Sequence, residues 1–325
     1  MYVAGERGRV FLPLSVSSGR RDTMADFVEA LLDRFHERTP IRAGSLIVTV
    51  FGDAVAPRGG VLSLGSLHEI MRAFRISDTL VRTALSRLVS DGWFERSKQG
   101  RNSFYRLTDH GRDAFALATE RIYDGPPTGW SGSFELVLLE NGGNRPALRA
   151  ELAEAGYGAL GSDLLVSASP RLPELASVLR LATTSTDART ARRLAERAWA
   201  LEEIEARYQR FVASYAQTLE ALRGDAKITD LEALLVRILL IHDYRRAVLK
   251  DPLLPPQLLP TNWAGGEARR LCAAIYKALL PAAERWIDRH GRNDAGPLPS
   301  ADAALALRFA GLSGSASGMQ VKSVT

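Results

Sequence analysis

The sequence predicts an α+β protein with three regions: two helices followed by a β-hairpin, a small middle region of strands and one helix, and a C-terminal all-helical region. Three observations predict this division. A helix–turn–helix–hairpin pattern occupies residues 67–107, strand-like runs flank one helix between residues 130 and 184, and a seven-residue apolar repeat begins at residue 187. A chain of 325 residues is long enough for two or three domains.

The composition is that of a globular protein with a mild positive charge. Hydrophobic residues make up 46% of the chain, charged residues 24%, and the net charge is +5. Residues 41–112 contain eleven Arg and Lys and six Asp and Glu, a net charge of 11 − 6 = +5. The net charge of the rest of the chain is therefore about zero. A basic N-terminal region on a neutral body is typical of a protein that binds nucleic acid.

Several function classes are disfavoured by what the sequence lacks. The single cysteine, Cys272, cannot form a disulfide within the chain, so we expect a cytoplasmic protein. No apolar run approaches the ~18 residues of a membrane helix, and neither a metal site nor a cofactor is predicted. The run Gly311–Ser315 lacks the last glycine of a nucleophile elbow, and His68 with Glu69 has no second histidine for a zinc site. We therefore do not expect an enzyme.

Turn-forming residues place the boundaries of the regions. The run Asp124–Gly129 is a linker by its Gly and Pro content. The stretch before Met24 lacks the apolar core of a signal peptide, and the sequence leaves open whether translation starts at Met1 or Met24. The predicted segments are a disordered tail (1–24), a winged helix-turn-helix domain (25–124), a middle domain (129–185), a helical domain (187–292) and a disordered Ser/Gly-rich tail (311–325).

The predicted recognition helix runs from about Asp78 to Asp91. Ser77 or Asp78 is suited to cap its start, and Gly92 its end. One face is apolar: Leu80, Val81, Ala84, Leu85, Leu88 and Val89. The opposite face carries hydroxyls and guanidiniums and no acid: Thr79, Arg82, Thr83, Ser86 and Arg87. Arginine binds guanine bidentately, and Ser and Thr reach phosphates or base edges, so this face predicts DNA contact. The alternative is an ordinary solvated helix face.

A basic β-hairpin follows this helix. Trp93–Lys98 and Ser103–Leu107 are the predicted strands, joined by a turn at Gln99–Asn102. Cations at a hairpin tip contact phosphates or enter the minor groove. The candidates at this tip are Lys98, Arg101 and Asn102. Helix, turn, helix and basic hairpin in this order predict a winged helix-turn-helix that binds double-stranded DNA.

The middle and C-terminal regions have simpler patterns. The runs Phe134–Leu139 and Leu164–Ser167 are strand-like, and a helix over Pro146–Gly156 lies between them, which predicts a small ferredoxin-like domain. From Asp187 to Arg223, apolar residues recur every seven positions. They predict one long helix that either packs on its own domain or forms a dimer seam. Further helices are predicted over residues 230–249 and 267–290.

Three separated motifs resemble the PaaX family of bacterial repressors of phenylacetic acid degradation. They are SLIVTVFGDAVAPRGG (Ser45–Gly60), VRTALSRLVSDGW (Val81–Trp93) and GRNSFYRLTDHG (Gly100–Gly111), in the family's order. The runs Arg121–Pro127 and Leu240–Trp263 also fit. The resemblance implies a winged helix, a Cas2-like ferredoxin-fold middle domain and a helical C-terminal domain. It further implies a homodimer on palindromic operators and release by phenylacetyl-CoA or a related aromatic acyl-CoA.

An acyl-CoA effector needs cations for its phosphates, an aromatic face for adenine and an apolar slot for the acyl group. The candidate effector-binding residues are Arg207, Tyr208, His242, Tyr244, Arg245, Arg246, Trp263 and Tyr276. Alternatively, Arg245 and Arg246 pair with nearby acids (Asp243, Glu203 or Glu205) and hold helices together, and His242 is an ordinary core histidine. Two other functions stay open: a ligand-independent architectural DNA-binding dimer and an acyl-CoA-acting enzyme.

Overall fold

The computed structural model describes residues 24–38, 42–127, 129–140, 144–168, 178–224 and 227–312. These residues form helices and small antiparallel sheets, as predicted for an α+β protein. The predicted tails lie outside the described residues except at their inner ends. There Met24 is buried at the start of a helix, and Gly311 and Leu312 belong to a 3-10 turn.

The N-terminal region contains the predicted helix–turn–helix and hairpin, with two helices before them and one after. Its regular elements are α1 (Met24–His36), α2 (Ala43–Val50), β1 (Val61–Ser63), α3 (Leu64–Ala73), α4 (Asp78–Ser90), β2 (Phe94–Gln99), β3 (Asn102–Leu107) and α5 (Asp109–Thr119). The helices α2 and α5 each continue into a π-helical turn, Phe51–Val55 and Glu120–Asp124 respectively.

The hairpin belongs to a three-stranded sheet of order β1-β3-β2. β1 pairs antiparallel with β3, Val61 opposite Arg106. The sequence did not indicate β1, because three residues are too few to show alternation. Its position ties the hairpin to the start of α3, where the Ser63 hydroxyl caps the helix by accepting the backbone N–H of Ser66.

The middle region is a four-stranded antiparallel sheet of order β5-β6-β4-β7. Its elements are β4 (Ser133–Leu139), α6 (Arg145–Glu154), β5 (Gly158–Ala159), β6 (Leu164–Ser167) and β7 (Val178–Thr184). The two predicted strands and the helix are present, and β5 and β7 are additional. Because α6 joins β4 to β5 while β6 lies between them, the unit is a split β-α-β arrangement. The full ferredoxin-like assignment stays a prediction, since residues 169–177 lie outside the described ranges.

The C-terminal region is mainly helical. Its elements are α7 (Ala188–Ala198), α8 (Leu201–Arg223), α9 (Asp230–Val248), α10 (Ala264–His290), a short hairpin of β8 (Arg292–Asn293) and β9 (Gly296–Pro297), and α11 (Ala303–Leu307). α9 begins with a capping box in which Thr229 and Glu232 each bond the other's backbone N–H. It is buried over most of its surface, which explains its near-continuous apolar sequence.

The predicted long helix from Asp187 to Arg223 is in fact two helices. Trp199 adopts an extended conformation, its indole N–H donates to the carbonyl of Gly156 at 3.0 Å, and its ring lies against Gly158. The chain thus breaks where a tryptophan is anchored to the middle sheet. Beyond the break, Tyr208 and Tyr215 are buried inside the chain, so the dimer-seam interpretation of this repeat was wrong.

One hydrophobic core joins the N-terminal region to the C-terminal helices. Residues from α2 such as Ile47, from α9 such as Leu240 and from α10 such as Ile275 belong to the same buried cluster. The sequence-based domain boundaries stay a prediction. The shared core means that the helix-turn-helix is attached to the helical region by packing, and this contact surface positions the sites described next.

Candidate nucleic-acid interface and ligand cavity

The helix α4 presents a polar, basic face to solvent. Its start is capped by Ser77, whose hydroxyl accepts the backbone N–H of Leu80 at 3.4 Å, and Val81 and Leu85 are buried against the core. Its five predicted DNA-binding residues are all exposed: Thr79, Arg82, Thr83, Ser86 and Arg87. The predicted apolar face needs one correction, since Leu80 is 36% exposed and lies at the edge of the polar face.

The single acid near the start of α4 is neutralised by α3. Asp78 accepts hydrogen bonds from Arg72, and its carboxylate lies 3.4 Å from His68 Nδ1. The hydrogen bond from Arg72 lowers the pKa of Asp78. This contact fixes α4 relative to α3 and leaves Arg82 and Arg87 without an ion pair among the residues that the structure describes.

The loop of the hairpin is shorter than predicted. The strands extend to Gln99 and Asn102, so the loop has two residues, Gly100 and Arg101. Gly100 has φ = 59°, a left-handed conformation that a two-residue hairpin loop requires and glycine adopts readily. The three candidates Lys98, Arg101 and Asn102 are exposed.

Sequence reasoning missed one basic residue on this hairpin. Arg96 is exposed and lies two residues before Lys98, on the same face of β2. Its guanidinium donates to the Ser103 hydroxyl across the hairpin at 2.8 Å, which holds the side chain along the strand. The sequence signal that could have identified Arg96 is its spacing from Lys98, because residues two apart on a strand share one face. Arg106 on β3 is a poorer candidate, because it pairs with Asp294.

The eight predicted effector residues do not line one site. Tyr208, His242, Tyr244 and Tyr276 are buried, Arg245 and Trp263 are half-buried, and Arg207 and Arg246 are exposed. The Tyr208 ring lies near both Tyr244 and Trp263, with centroids 6.4 and 5.9 Å away. The Tyr208 hydroxyl donates to the buried Asp251 at 2.8 Å. In this structure these aromatic residues therefore act as core packing.

Neither Arg245 nor Arg246, the arginines expected to pair with nearby acids, forms an ion pair within the described residues. Arg245 donates to the Ser45 hydroxyl at 2.8 Å and to its carbonyl, and it forms no ion pair within the described residues. Asp243 instead binds Arg38 and accepts from the Tyr215 hydroxyl. The contact of Arg245 thus joins α9 to α2, between two regions of the chain.

His242 is a satisfied core histidine in this structure. It is 3% exposed, and its Nδ1 lies 3.0 Å from the hydroxyl of the buried Thr49 on α2. Burial lowers the pKa of His242 to about 4, so the imidazole is neutral at pH 7.

A buried ionic cluster, which the sequence analysis did not identify, also joins the two regions. Asp53, in the π-helical turn after α2, accepts hydrogen bonds at Oδ1 from Tyr123 (2.7 Å), Tyr276 (3.0 Å) and Arg308 (2.9 Å). Its Oδ2 lies 2.7 Å from the Nε of Arg237, in an ion pair whose angles do not meet those of a hydrogen bond. Burial lowers the pKa of Arg237, but the charges of Asp53 and Glu284, the Tyr276 hydroxyl and the hydrogen bond to Glu284 together outweigh burial, so the pKa is raised.

A second carboxylate extends this cluster. Glu284 on α10 pairs with Arg237 and also with the buried Arg58, at 2.6 Å. The signal in the sequence was one charged residue inside each of two apolar runs, Asp53 in SLIVTVFGDAV and Arg237 in LLVRILLI. Such isolated charges in buried segments need partners.

A cavity of about 250 Å3 lies between the helix-turn-helix region and α9. Both π-helical turns contribute to its wall, as do α2, α5 and Trp93 at the end of α4. Its lining residues are Val48, Thr49, Gly52, Asp53, Trp93, Ala114, Phe115, Ala118, Thr119, Ile122, Tyr123, Ile241, Arg245 and Leu249. The wall is mostly apolar, and of the eight predicted effector residues only Arg245 belongs to it.

The described residues contain neither a membrane-spanning helix nor a group of metal ligands. No helix among them is long and apolar enough to cross a membrane. Within the same ranges, no three His, Cys, Asp or Glu side chains are grouped so that they could hold a metal ion.

The fold and the exposed basic surface define a helix-turn-helix protein with a basic β-hairpin. Two family models match the chain, PaaX-like protein over residues 42–111 and PaaX-like protein C-terminal domain over residues 199–289. The transcriptional repressor PaaX of Escherichia coli (strain K12) is 36% identical over 290 residues, which cover 84% of this chain and 92% of that protein. The chain belongs to the PaaX family.

The relative is named for repression and not for a reaction, in agreement with the prediction that this chain is not an enzyme. A solved structure, the uncharacterized protein Rv0674 from Mycobacterium tuberculosis, is similar with a TM-score of 0.46 and 23% identity. That similarity covers 67% of this chain and 88% of that one. It is too low to bear on the function.

Proposed function

We propose that this protein is a transcriptional repressor that binds double-stranded operator DNA through α4 and the β2–β3 hairpin. The observation that carries the proposal is the exposed face of α4, which includes no acid and combines hydroxyls with guanidiniums that form no ion pair within the described residues. The repressor function of the Escherichia coli relative supports it.

In the proposed complex, α4 enters the major groove, whose width of about 12 Å admits one helix. Arg82 and Arg87 contact guanines bidentately, while the hydroxyls of the same face bind phosphates or base edges. Lys98, Arg101 and Asn102 at the hairpin tip contact the backbone or the minor groove beside it. Phosphate contacts set the register, and the two arginines supply specificity.

The repressor is further proposed to act as a homodimer on a palindromic operator. The middle sheet offers a surface for it, because β7 is an edge strand and Leu179 and Leu181 are 50% and 56% exposed. Leu138, opposite Leu179 on β4, is 38% exposed. Edge strands with exposed apolar side chains favour pairing, and two copies of β7 related by a two-fold axis would pair antiparallel.

The effector is proposed to be an aromatic acyl-CoA such as phenylacetyl-CoA, which releases the repressor from DNA. A cavity between the helix-turn-helix and the helical region supports this, since an occupant there contacts both. The alternatives are a ligand-independent architectural dimer and an acyl-CoA-acting enzyme. An unchanged operator affinity at saturating thioester favours the first alternative, and release of free CoA from the thioester by the protein favours the second.

The experiment that tests DNA recognition is selection of bound duplexes from a random-sequence pool with the full chain. We expect an inverted repeat whose half-sites are about one helical turn, 10–10.5 base pairs, apart. The Arg82→Ala variant should lose the preference at the base pair that Arg82 contacts and keep the salt-sensitive phosphate binding. Failure of the wild-type chain to enrich any sequence at physiological salt would contradict the proposal.

A further inference from the structure

The cavity beside α9 has the size of an aromatic acyl group and not of a whole CoA thioester. Apolar cavities of about 150 Å3 hold a benzene ring, and pockets for drug-sized ligands span about 300–1,000 Å3. At about 250 Å3, the cavity therefore accommodates a phenyl ring with a short acyl chain. The rings of Trp93, Phe115 and Tyr123 contribute to its wall, so an aryl group would contact aromatic faces and edges.

Among the described residues that line the cavity, Arg245 is the one with a cationic side chain. Its Nε is buried and has no hydrogen-bond partner among the described residues, while its Nη2 donates to the hydroxyl and the carbonyl of Ser45. No carboxylate of the described residues pairs with it. A buried guanidinium with an unused donor beside an apolar cavity is suited to a ligand oxygen, because an unsatisfied buried donor is costly.

A cationic surface lies next to Arg245 on the same helix. Arg246 is exposed at its surface, and partial burial of its side chain, followed by the positive charges of Arg38, Arg42 and Arg207, lowers the pKa of Arg246. Asp243 compensates part of this charge through its ion pair with Arg38. The four arginines come from α8, α9, the start of α2 and the chain after α1, so folding brings them together.

We propose that an aromatic acyl-CoA binds in two parts: its aryl-acyl end fills the cavity with the thioester carbonyl accepting a hydrogen bond from Arg245, and its phosphates bind the arginines around Arg246. The inference rests on the proposed function, since it locates the effector of that repressor. It assigns a role to the cavity, the free Nε and the clustered cations, none of which the DNA-binding surface uses.

An occupant of this cavity is well placed to move α4. Trp93, in the cavity wall, donates its backbone N–H to the carbonyl of Leu88 on α4 at 2.9 Å. α2, which forms another part of the wall, packs against α4 so closely that a Cβ on Gly44 would lie 3.9 Å from Leu88 and Ala84. Displacement of Trp93 or α2 by a ligand therefore shifts the DNA-binding helix.

The acyl half of the proposal is tested by filling the cavity. Ala118→Phe places a ring in the cavity, and Ala116→Phe on the exposed side of the same helix is the matched control. Calorimetry uses phenylacetyl-CoA and the phenylacetyl thioester of N-acetylcysteamine, which lacks phosphates. We expect Ala118→Phe to weaken both by at least about tenfold and the control to bind normally. Unchanged binding of both thioesters by Ala118→Phe would overturn the proposal.

The polar half is tested by replacing each guanidinium with a shorter, uncharged side chain. Arg245→Met should weaken both thioesters by about tenfold or more. Arg246→Gln should weaken only phenylacetyl-CoA, and Arg270→Gln, an exposed arginine on α10, neither. DNA affinity without ligand checks that each variant is folded. If Ala118→Phe fails this check, thioester binding by Arg245→Met decides whether the ligand occupies the cavity. A loss of DNA affinity in Arg246→Gln with normal thioester binding would assign the cationic surface to DNA and refute the proposal.

Two experimental outcomes separate an incorrect binding site from an incorrect effector. If phenylacetyl-CoA releases the wild type, Ala118→Phe and Arg246→Gln equally from DNA, the proposed effector is correct and the proposed binding site is wrong. If the wild-type chain binds its selected duplex but neither thioester, phenylacetate nor CoA, both the site and this effector are refuted while DNA binding stands.

Discussion

Replacing Asp53 by asparagine should destabilise the whole protein, because its carboxylate forms ion pairs with two buried guanidiniums, those of Arg237 and Arg308. Asp53 is 1% exposed, Arg237 is 0% and Arg308 is 7%. Removing one partner of a buried ion pair costs about 3–5 kcal/mol, and asparagine keeps the size while turning an amide N–H₂ toward a cation. Since native proteins are stable by about 5–15 kcal/mol, the loss is a large part of the total.

The assay is urea unfolding of the full chain followed by circular dichroism. We expect the free energy of unfolding of Asp53→Asn to fall by about 3–5 kcal/mol. The matched control is Asp109→Asn, whose side chain is 93% exposed in its ion pair with Arg112, and the expected change there is below about 1 kcal/mol. A loss of less than about 1 kcal/mol in Asp53→Asn would mean that the cluster does not hold the two regions together.

Two further predictions follow from burial and exposure. The pKa of His242 in the folded chain, about 4, lies below its unfolded value of about 6.5, so the unfolded state binds more protons between these values. The free energy of unfolding should fall by up to about 3 kcal/mol as the pH drops from 6.5 to 4, and His242→Gln should remove that slope while the exposed His110→Gln keeps it. Replacing Leu179 by Asp on β7 should convert the proposed dimer to a monomer in light scattering, with Leu307→Asp, also exposed, as the control; a dimeric Leu179→Asp variant would place the interface elsewhere.

The sequence identified the elements whose signals are local. Ser77 and Gly92 mark the ends of α4 because a cap hydroxyl and a left-handed glycine act within one turn of the helix. The hairpin followed from two strand-like runs joined by the turn residues Gln99–Asn102. The exposed residues of α4 likewise followed from helical periodicity, apart from Leu80 at the boundary of its two faces.

What the sequence did not predict depends on contacts between distant residues. The break at Trp199 arises from a hydrogen bond to Gly156, 43 residues away, so the heptad pattern alone could not place it. Asp53 pairs with Arg237, which lies 184 residues further along the chain, and no local pattern encodes that pairing. The effector candidates were chosen by chemistry and not by position, and the fold buries most of them separately while it brings Arg245 to the cavity.

The central claim is that α4 specifies the DNA sequence and the hairpin holds the backbone. Its most direct test is fluorescence anisotropy of the full chain on the selected duplex and on an unrelated one, at two salt concentrations. Arg82→Ala should lose about 1–3 kcal/mol on the selected duplex only, and Lys98→Ala should weaken both duplexes alike and reduce the salt slope by about 1. Arg193→Ala, an exposed arginine on α7, should change neither. Wild-type affinity and salt dependence in both Arg82→Ala and Lys98→Ala would contradict the account.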